Sequence, residues 1–320
     1  MMALIKLRNR CTAALGLALS VLALAFAMPA AAQLSYRHGQ HIEPAYEGWR
    51  ENPDGTFSFI FGYMNENWEQ ELDVPVGDNN FFSPGDADRG QPTRFLPRRN
   101  RFTFEVVVPS DWGDRELVWT LTSPNGETRR AYATLATDYT IDNIVIASET
   151  GSLGAGTSSP ESRANTPPVV EVLGDSARTV RVGTPLTIQT RVTDDGLPRP
   201  GRVGSRGEFR PETAQEWTES ALTRPTRSTV GKVNGLFLSW NIYRGDGNAM
   251  FDPPQIKPWE DTRTSANSPW GALWQPPEIP EDGIYEVQVT FDKPGTYQLW
   301  ARADDGGLFH DQYLTVTVTP

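Results

Sequence analysis

Few side chains in this sequence are of the kinds that do covalent or redox chemistry. The 320 residues include three histidines and a single cysteine, Cys11. Cys11 lies before an apolar N-terminal run of the kind that is removed with a secretory signal peptide. Neither disulfides nor thiolate metal sites are therefore expected in the chain that remains. A histidine-based triad would need His310, because His38 and His41 lie in a polar N-terminal stretch. Nucleophile-elbow, zinc-helix and phosphate-loop motifs do not occur, and no pattern favours a carboxylate pair. We therefore expect no catalytic residue and a non-enzymatic protein.

Metal ligands are present only as short fragments. His38 and His41 have the spacing of a helical metal pair, but no third ligand set is near, and we expect a mobile arm there. Four acidic turns offer calcium two oxygens each, at 86–90, 194–196, 246–248 and 304–306. A calcium loop needs six or more oxygens in alternation. The expectation is no metal site and no cofactor, with structural calcium between two turns as the open alternative.

Aromatic residues give the strongest indication of a binding surface. In the strands predicted near the C-terminus, alternation places Phe237, Tyr243, Trp300 and Tyr313 on outward faces. If these strands are neighbours, the four side chains form one patch on the outer face of a sheet. An exposed patch of four large aromatic side chains requires a partner, either another part of the chain or another molecule, that covers it. We call these four residues the aromatic patch.

Three tryptophans lie among prolines in an inserted loop, 254–280: Trp259, Trp270 and Trp274. In one interpretation the loop folds over the aromatic patch, and its tryptophans complete a small outer core. In the other they stay exposed and stack on sugar rings or anchor a protein partner. With the aromatic patch, they are the candidate binding residues.

Two groups of short alternating segments must position these side chains. Residues 44–148 predict six or seven short strands without a convincing helix, the last of them at 140–146. Residues 149–166 are rich in Gly, Ser and Pro and predict a linker. Residues 167–320 predict a second set of strands. The predicted fold class is all-β, with two β-sandwich, immunoglobulin-like domains joined by this linker. Residues 1–32 and an arm at 33–43 precede the first domain.

The C-terminal half resembles a PKD-type immunoglobulin-like domain over about residues 166–320. The resemblance rests on Pro167–Val170, Val182–Thr187, Thr193–Gly196, Trp240 with Gly245-x-Gly247, Phe251-x-Pro253, Lys293–Tyr297 and Ala303–Gly306. It implies a sandwich with Tyr297 in a tyrosine corner. It implies little about function, because such domains serve as spacers, adhesion modules and carbohydrate-associated modules. Two inserted loops, 197–232 and 254–280, depart from the pattern.

The N-terminal half resembles uncharacterised secreted bacterial proteins. The resemblance rests on Gln91–Phe95, a Gln-Pro-Thr segment that precedes an aromatic strand. It implies no known activity.

The N-terminus has the organisation of a secretory signal peptide. Basic residues up to Arg10 precede an apolar run, Thr12–Met28, and small residues precede Gln33. A retained membrane anchor is the alternative. Removing three signal-peptide cations leaves 26 basic against 40 acidic residues, a net charge of −14. Such a surface disfavours nucleic acid, and we expect no membrane insertion after cleavage.

These observations predict a periplasmic or extracellular bacterial protein. Its predicted function is that of a non-enzymatic binding or structural module of the cell envelope, acting through contacts with an envelope protein. The alternative is a carbohydrate-binding or carbohydrate-processing accessory protein that uses exposed tryptophans on a glycan. The inserted loop 197–232 carries a local excess of basic residues, and either docks on an acidic partner or is solvated.

Overall fold

In this computed structural model, the described residues are 36–149, 160–198, 213, 215, 235–256 and 280–320. The predicted signal peptide, most of the two inserted loops and the candidate residues Trp259, Trp270 and Trp274 lie outside them. Residues Arg37–Pro320 form one compact unit.

The first half of the chain forms the N-terminal sandwich. Its strands are β1 (Ile42–Glu51), β2 (Phe57–Asn65), β3 (Leu72–Asp73), β4 (Asn80–Ser83), β5 (Arg94–Phe95), β6 (Arg98–Val108), β7 (Leu117–Thr122) and β8 (Thr128–Ala133). They pair as β1-β2-β6, β4-β7-β8 and the small sheet β3-β5. Alternate residues of β2 and β6 point inward, which packs Phe61 against Phe104 in a stacked pair at 5.4 Å. Trp119 of β7 closes this core edge-on against Phe104 at 5.1 Å.

The second half forms the C-terminal sandwich. Its strands are β9 (Val169–Val172), β10 (Ala177–Arg181), β11 (Leu186–Thr193), β12 (Phe237–Arg244), β13 (Ala249–Asp252), β14 (Ile284–Phe291), β15 (Gly295–Asp304) and β16 (Phe309–Thr319). One sheet has the order β10-β16-β15-β12, and the other has the order β13-β14-β11-β9. The prediction of an all-β sandwich fold is confirmed.

Tyr297 occupies the corner that the sequence predicts for it. Its hydroxyl donates to the Lys293 carbonyl oxygen at 2.8 Å. A Cβ atom on Gly247 would lie 2.2 Å from the Tyr297 hydroxyl oxygen, and one on Gly245 would lie 2.4 Å from the ring. Gly245 also has a φ of +152°, which side-chain-bearing residues rarely adopt. The Gly-x-Gly motif is therefore required for the ring of Tyr297 to pack.

The strand predicted at 140–146 is wrong. Residues Asn143–Glu149 form helix α1, after a single 3₁₀ turn at Thr137–Tyr139. The Asp142 carboxylate accepts the Val145 amide at 2.9 Å and caps the helix. A short apolar run such as Ile144–Ile146 fits a strand or a helix equally well by periodicity, and here the cap decides.

Two further segments differ from the sequence expectation. Strand β1 begins at Ile42, so the predicted arm at 33–43 ends inside a strand, and the His41 Nε2–H donates to the Glu43 carboxylate at 2.7 Å. The end of the predicted linker forms a short helix, α2 (Pro160–Ala164), followed by hydrogen-bonded residues. Strand pairing with β2 orders the start of β1, and side-chain hydrogen bonds of Asn165 and Thr166 hold the residues after α2.

Candidate functional site

The sheet order brings most of the predicted aromatic patch together. Strand β15 lies between β12 and β16, with Trp300 opposite Asn241 on one side and opposite Tyr313 on the other. The Tyr243 ring centroid is 4.9 Å from that of Tyr313 and 6.2 Å from that of Trp300. Phe237 lies at the far end of β12, opposite Asp304. Three of the four side chains therefore form one cluster.

This cluster is covered within the chain rather than open to solvent. Trp300 is 2 % exposed, and Tyr243 and Phe237 are equally buried. Tyr243 and Trp300 belong to the apolar core of the N-terminal sandwich, which packs on this face. Tyr313, 37 % exposed, is the accessible member of the patch. Phe237, Tyr243 and Trp300, predicted as contact residues for a partner, are therefore buried within the chain, and the N-terminal sandwich covers the face that Tyr243 and Trp300 share.

Backbone segment 88–93 of the N-terminal sandwich lies along the end of β12. The Tyr243 hydroxyl donates to the Gly90 carbonyl oxygen at 2.5 Å. The Thr93 amide donates to the Tyr243 carbonyl oxygen at 3.1 Å, and the Arg244 Nε donates to the Gln91 carbonyl oxygen at 2.8 Å. The Gln-Pro-Thr segment singled out in the sequence is thus a contact between the two sandwiches.

Two arginines add charge-assisted bonds across the same boundary. Arg244 binds Asp88 in a bidentate pair at 2.8 and 3.0 Å. Arg94 donates to the Asn248 side-chain oxygen at 2.6 Å while it pairs with Asp73 at 2.5 Å. Bidentate guanidinium pairs fix orientation as well as distance. The Arg244–Asp88 pair and the Arg94–Asn248 bond thus join the two sandwiches at this boundary.

Arg302 is the buried centre of the interface. Its side chain is 1 % exposed and donates to the Phe102 carbonyl oxygen at 2.7 Å. It pairs with both oxygens of Asp311 at 2.6 and 2.7 Å, and its guanidinium lies 3.8 Å from the Phe309 ring centroid. Burial opposes the charge, but Asp311 raises the pKa of Arg302 above its ordinary value. Arg302 therefore stays charged in the interface.

A cavity of about 600 Å³ opens beside this interface, with walls from both sandwiches and α1. It has an apolar floor and a polar rim that includes Tyr313 of the predicted patch, and the buried Tyr243 also lines it. We call it the interdomain cleft. Sequence reasoning missed its other residues, because they come from strands that are far apart in the chain. The one available signal was Arg302, which follows Trp300 by two residues and shares its outward face.

Two of the acidic turns meet at the end of the predicted linker. The Thr166 hydroxyl donates to Asp195 at 2.7 Å, and the Asn165 side-chain amide donates to Asp305 at 3.0 Å. Asp305 also accepts the amides of Gly307 and Leu308. Across the described residues, no group of three or more His, Cys, Asp or Glu side chains is placed to hold a metal ion. These carboxylates act as hydrogen-bond acceptors that tie the linker to the turns.

Asp305→Asn is expected to change how stability depends on pH. Burial raises the pKa of Asp305 from 3.8 to about 7. The folded state therefore binds more protons than the unfolded state between these values, and the wild type loses stability as the pH rises through them. The neutral variant lacks this loss. Melting temperatures are measured at pH 4, 5.5, 7 and 8. The difference in melting temperature, variant minus wild type, should increase from pH 4 to pH 7 and stay constant above pH 7.

Asp195→Asn is the matched control in the neighbouring turn. Burial opposes ionisation there, but hydrogen bonds from Thr166 and Leu197 lower the pKa of Asp195 below its ordinary value. Its stabilising contribution is therefore present at neutral pH and lost as the pH falls. Relative to the wild type, this variant should therefore be less stable at pH 7 than at pH 4. Its stability difference changes with pH in the opposite direction to that of Asp305→Asn. Parallel pH profiles for the wild type and both variants would refute the assignment.

No protein-family model matches the sequence, and no curated protein matches it. A comparison with solved structures matches domains 4 and 5 of the S-layer protein SbsC, at 9 % identity, over 88 % of this chain and 98 % of that one, with a TM-score of 0.22. The fibronectin(III)-like modules of Clostridium thermocellum CbhA match at 8 % identity, over 82 % and 85 %, with a TM-score of 0.22. Sidekick-1 immunoglobulin domains 1–4 match at 11 % identity, over 88 % and 51 %, with a TM-score of 0.21. At these TM-scores the matches carry no argument, and the fold class rests on the paired strands.

Proposed function

We propose that this chain is an exported, non-enzymatic binding or structural module of the bacterial cell envelope, and that it acts through protein–protein contacts. The observation that supports the proposal is the interface centred on Arg302. Sandwich domains in one chain move relative to each other unless their interface is large and apolar. Here buried Trp300 and Tyr243, together with the arginine pairs, join the two sandwiches into one compact unit. Such a unit presents a partner with a surface of fixed geometry.

Two features of the sequence support export. Residues 1–32 have the organisation of a signal peptide, and the mature chain is strongly acidic. Within the described ranges, helices long and apolar enough to cross a membrane do not occur. Assignment of the C-terminal sandwich to the PKD type is part of the same proposal and rests on the motifs quoted above.

The test of export uses the full chain with a C-terminal tag in a bacterial host. We expect the protein in the periplasmic or external fraction, with a mass that begins at Gln33. Retention in the cytoplasm, or an unprocessed mass, would contradict the proposal. The measurement is cell fractionation followed by intact-mass spectrometry.

The test of protein contacts uses photo-crosslinking residues in living cells. They replace Tyr132, Met250 or Tyr313 in turn, which are exposed side chains on different strands. We expect a discrete adduct with an envelope protein from at least one position. In parallel, the purified protein is pelleted with cell-wall polysaccharide. Pelleting that is lost when Trp259, Trp270 and Trp274 are all changed to alanine, without any protein adduct, would favour the carbohydrate alternative.

A further inference from the structure

The interdomain cleft has the size and lining of a ligand site. Its volume of about 600 Å³ falls inside the range of small-ligand pockets, roughly 300 to 1,000 Å³. Its floor is apolar and draws on both sandwiches and on α1. The floor residues are Ile60, Phe102, Phe104, Ile146 and Leu308.

The charged groups that line the cleft cancel each other. Arg50 pairs with Glu105, which also lines the cleft, at 2.5 Å. Arg244 is held by the solvent-exposed Asp88, and Asp311 by the buried Arg302. Two arginines and two acids line the cleft, and each already has a partner. A charged ligand group would therefore be desolvated on the apolar floor without a counter-charge, which is costly.

The remaining polar groups on the rim are uncharged. The His310 Nδ1 accepts the Val170 amide at 3.1 Å, which leaves the ring proton on Nε2 as a donor. The side chains of Asn143, Gln298 and Tyr313 add amide and hydroxyl groups to the lining. Such groups donate to carbonyl oxygens and accept from amide N–H groups. Together they match the main chain of a peptide.

We infer that the interdomain cleft binds an uncharged peptide segment of an envelope protein. One aromatic or branched aliphatic side chain of the peptide lies on the floor, and the main-chain amides of the peptide bond to the rim. A sugar fits less well, because its hydroxyl groups would face Ile60, Ile146 and Leu308 and lose hydrogen bonds to water. The inference rests on the proposed function, since it names the partner class and the place where that partner binds.

The test is a methyl NMR titration of the full mature protein. The probes are the N-acetyl amides of tryptophan, leucine, lysine and glutamate, together with chitobiose as the sugar. The readout is the methyl signals of Ile60, Ile146 and Leu308 on the floor. We expect the tryptophan and leucine amides to shift these signals, the better of them with a Kd on the order of 1 mM. The lysine and glutamate amides should bind at least tenfold more weakly.

A pair of exposed tyrosines provides the matched variants. Tyr313→Ala removes a rim side chain and is expected to weaken binding of the tryptophan amide about fivefold. Tyr132→Ala removes a tyrosine of similar exposure from β8, which does not line the cleft, and should leave binding unchanged. Melting temperatures of both variants confirm that each is folded before titration.

Several outcomes would overturn the inference. They are no shift of the floor methyls with any probe, shifts from the charged amides as large as from the tryptophan amide, and shifts from chitobiose alone. Equal weakening by Tyr313→Ala and Tyr132→Ala would also overturn it. If crosslinking yields an envelope protein but the floor methyls do not respond, this inference fails and the proposed function stands. If the methyls respond but the protein is not exported, the proposed function fails instead.

Discussion

Arg302→Met should lower the free energy of unfolding by about 3 kcal/mol or more, because removing one partner of a buried ion pair leaves the other uncompensated. Methionine replaces the aliphatic part of the arginine side chain but not its guanidinium, so the loss comes mainly from the bonds that the guanidinium makes. Asp311 would lose its counter-charge, and the Phe102 carbonyl oxygen would lose its 2.7 Å donor. Urea unfolding, followed by fluorescence and circular dichroism, measures the change.

Two controls separate the buried pair from ordinary loss of a surface charge. Arg191→Met removes a 45 % exposed arginine that pairs with Glu171 at 2.6 Å, and should cost less than about 1 kcal/mol. The double variant Arg302→Met with Asp311→Leu replaces both charges, and should recover part of the loss. A loss for Arg302→Met no larger than that for Arg191→Met would show that the interface does not depend on this pair.

Trp300→Ala is expected to cost about 3 to 5 kcal/mol, the range for truncating a large buried aromatic side chain. Trp300 is buried between the two sandwiches and packs in the core of the N-terminal one. If Trp300 were instead an exposed binding residue, as the sequence pattern suggested, its removal would leave stability almost unchanged. Chemical denaturation of the variant therefore distinguishes the two roles directly.

The matched comparison is Tyr313→Ala, in register with Trp300 on the next strand. Tyr313 is partly exposed, so its removal should cost clearly less than that of Trp300. Equal effects for the two variants would contradict the burial described here. A loss below about 1 kcal/mol for Trp300→Ala would do the same, because it falls short of what cavity formation costs.

The interface changes what the aromatic patch means for function. Without the N-terminal sandwich, the outer face of the sheet would be a binding surface that needs a separate partner. With it, the aromatic residues hold two sandwiches together, and the accessible chemistry moves to the cleft at their boundary. A binding role therefore depends on both halves of the chain at once.

Local sequence was sufficient wherever structure follows from backbone periodicity. Leu186–Thr193, within the segment predicted to form the second set of strands, alternates buried and exposed residues along its length. The same rule placed Tyr243, Trp300 and Tyr313 on one face. In β1 a bulge between Tyr46 and Gly48 shifts the register within the strand, a feature that alternation does not encode. The strand predicted at 140–146 is wrong because a capping carboxylate selects the helix α1.

By itself, then, the sequence determined the all-β class, the tyrosine corner and the shared face of Tyr243, Trp300 and Tyr313. These depend on neighbours a few residues away, through side-chain alternation and glycine geometry. The tertiary structure alone decided that the aromatic face is covered, that Arg302 is buried and that a cleft lies beside it. Those features depend on contacts between distant segments: Arg302 and Phe102 are 200 residues apart. Burial is set by which surface lies opposite, and no local pattern encodes that.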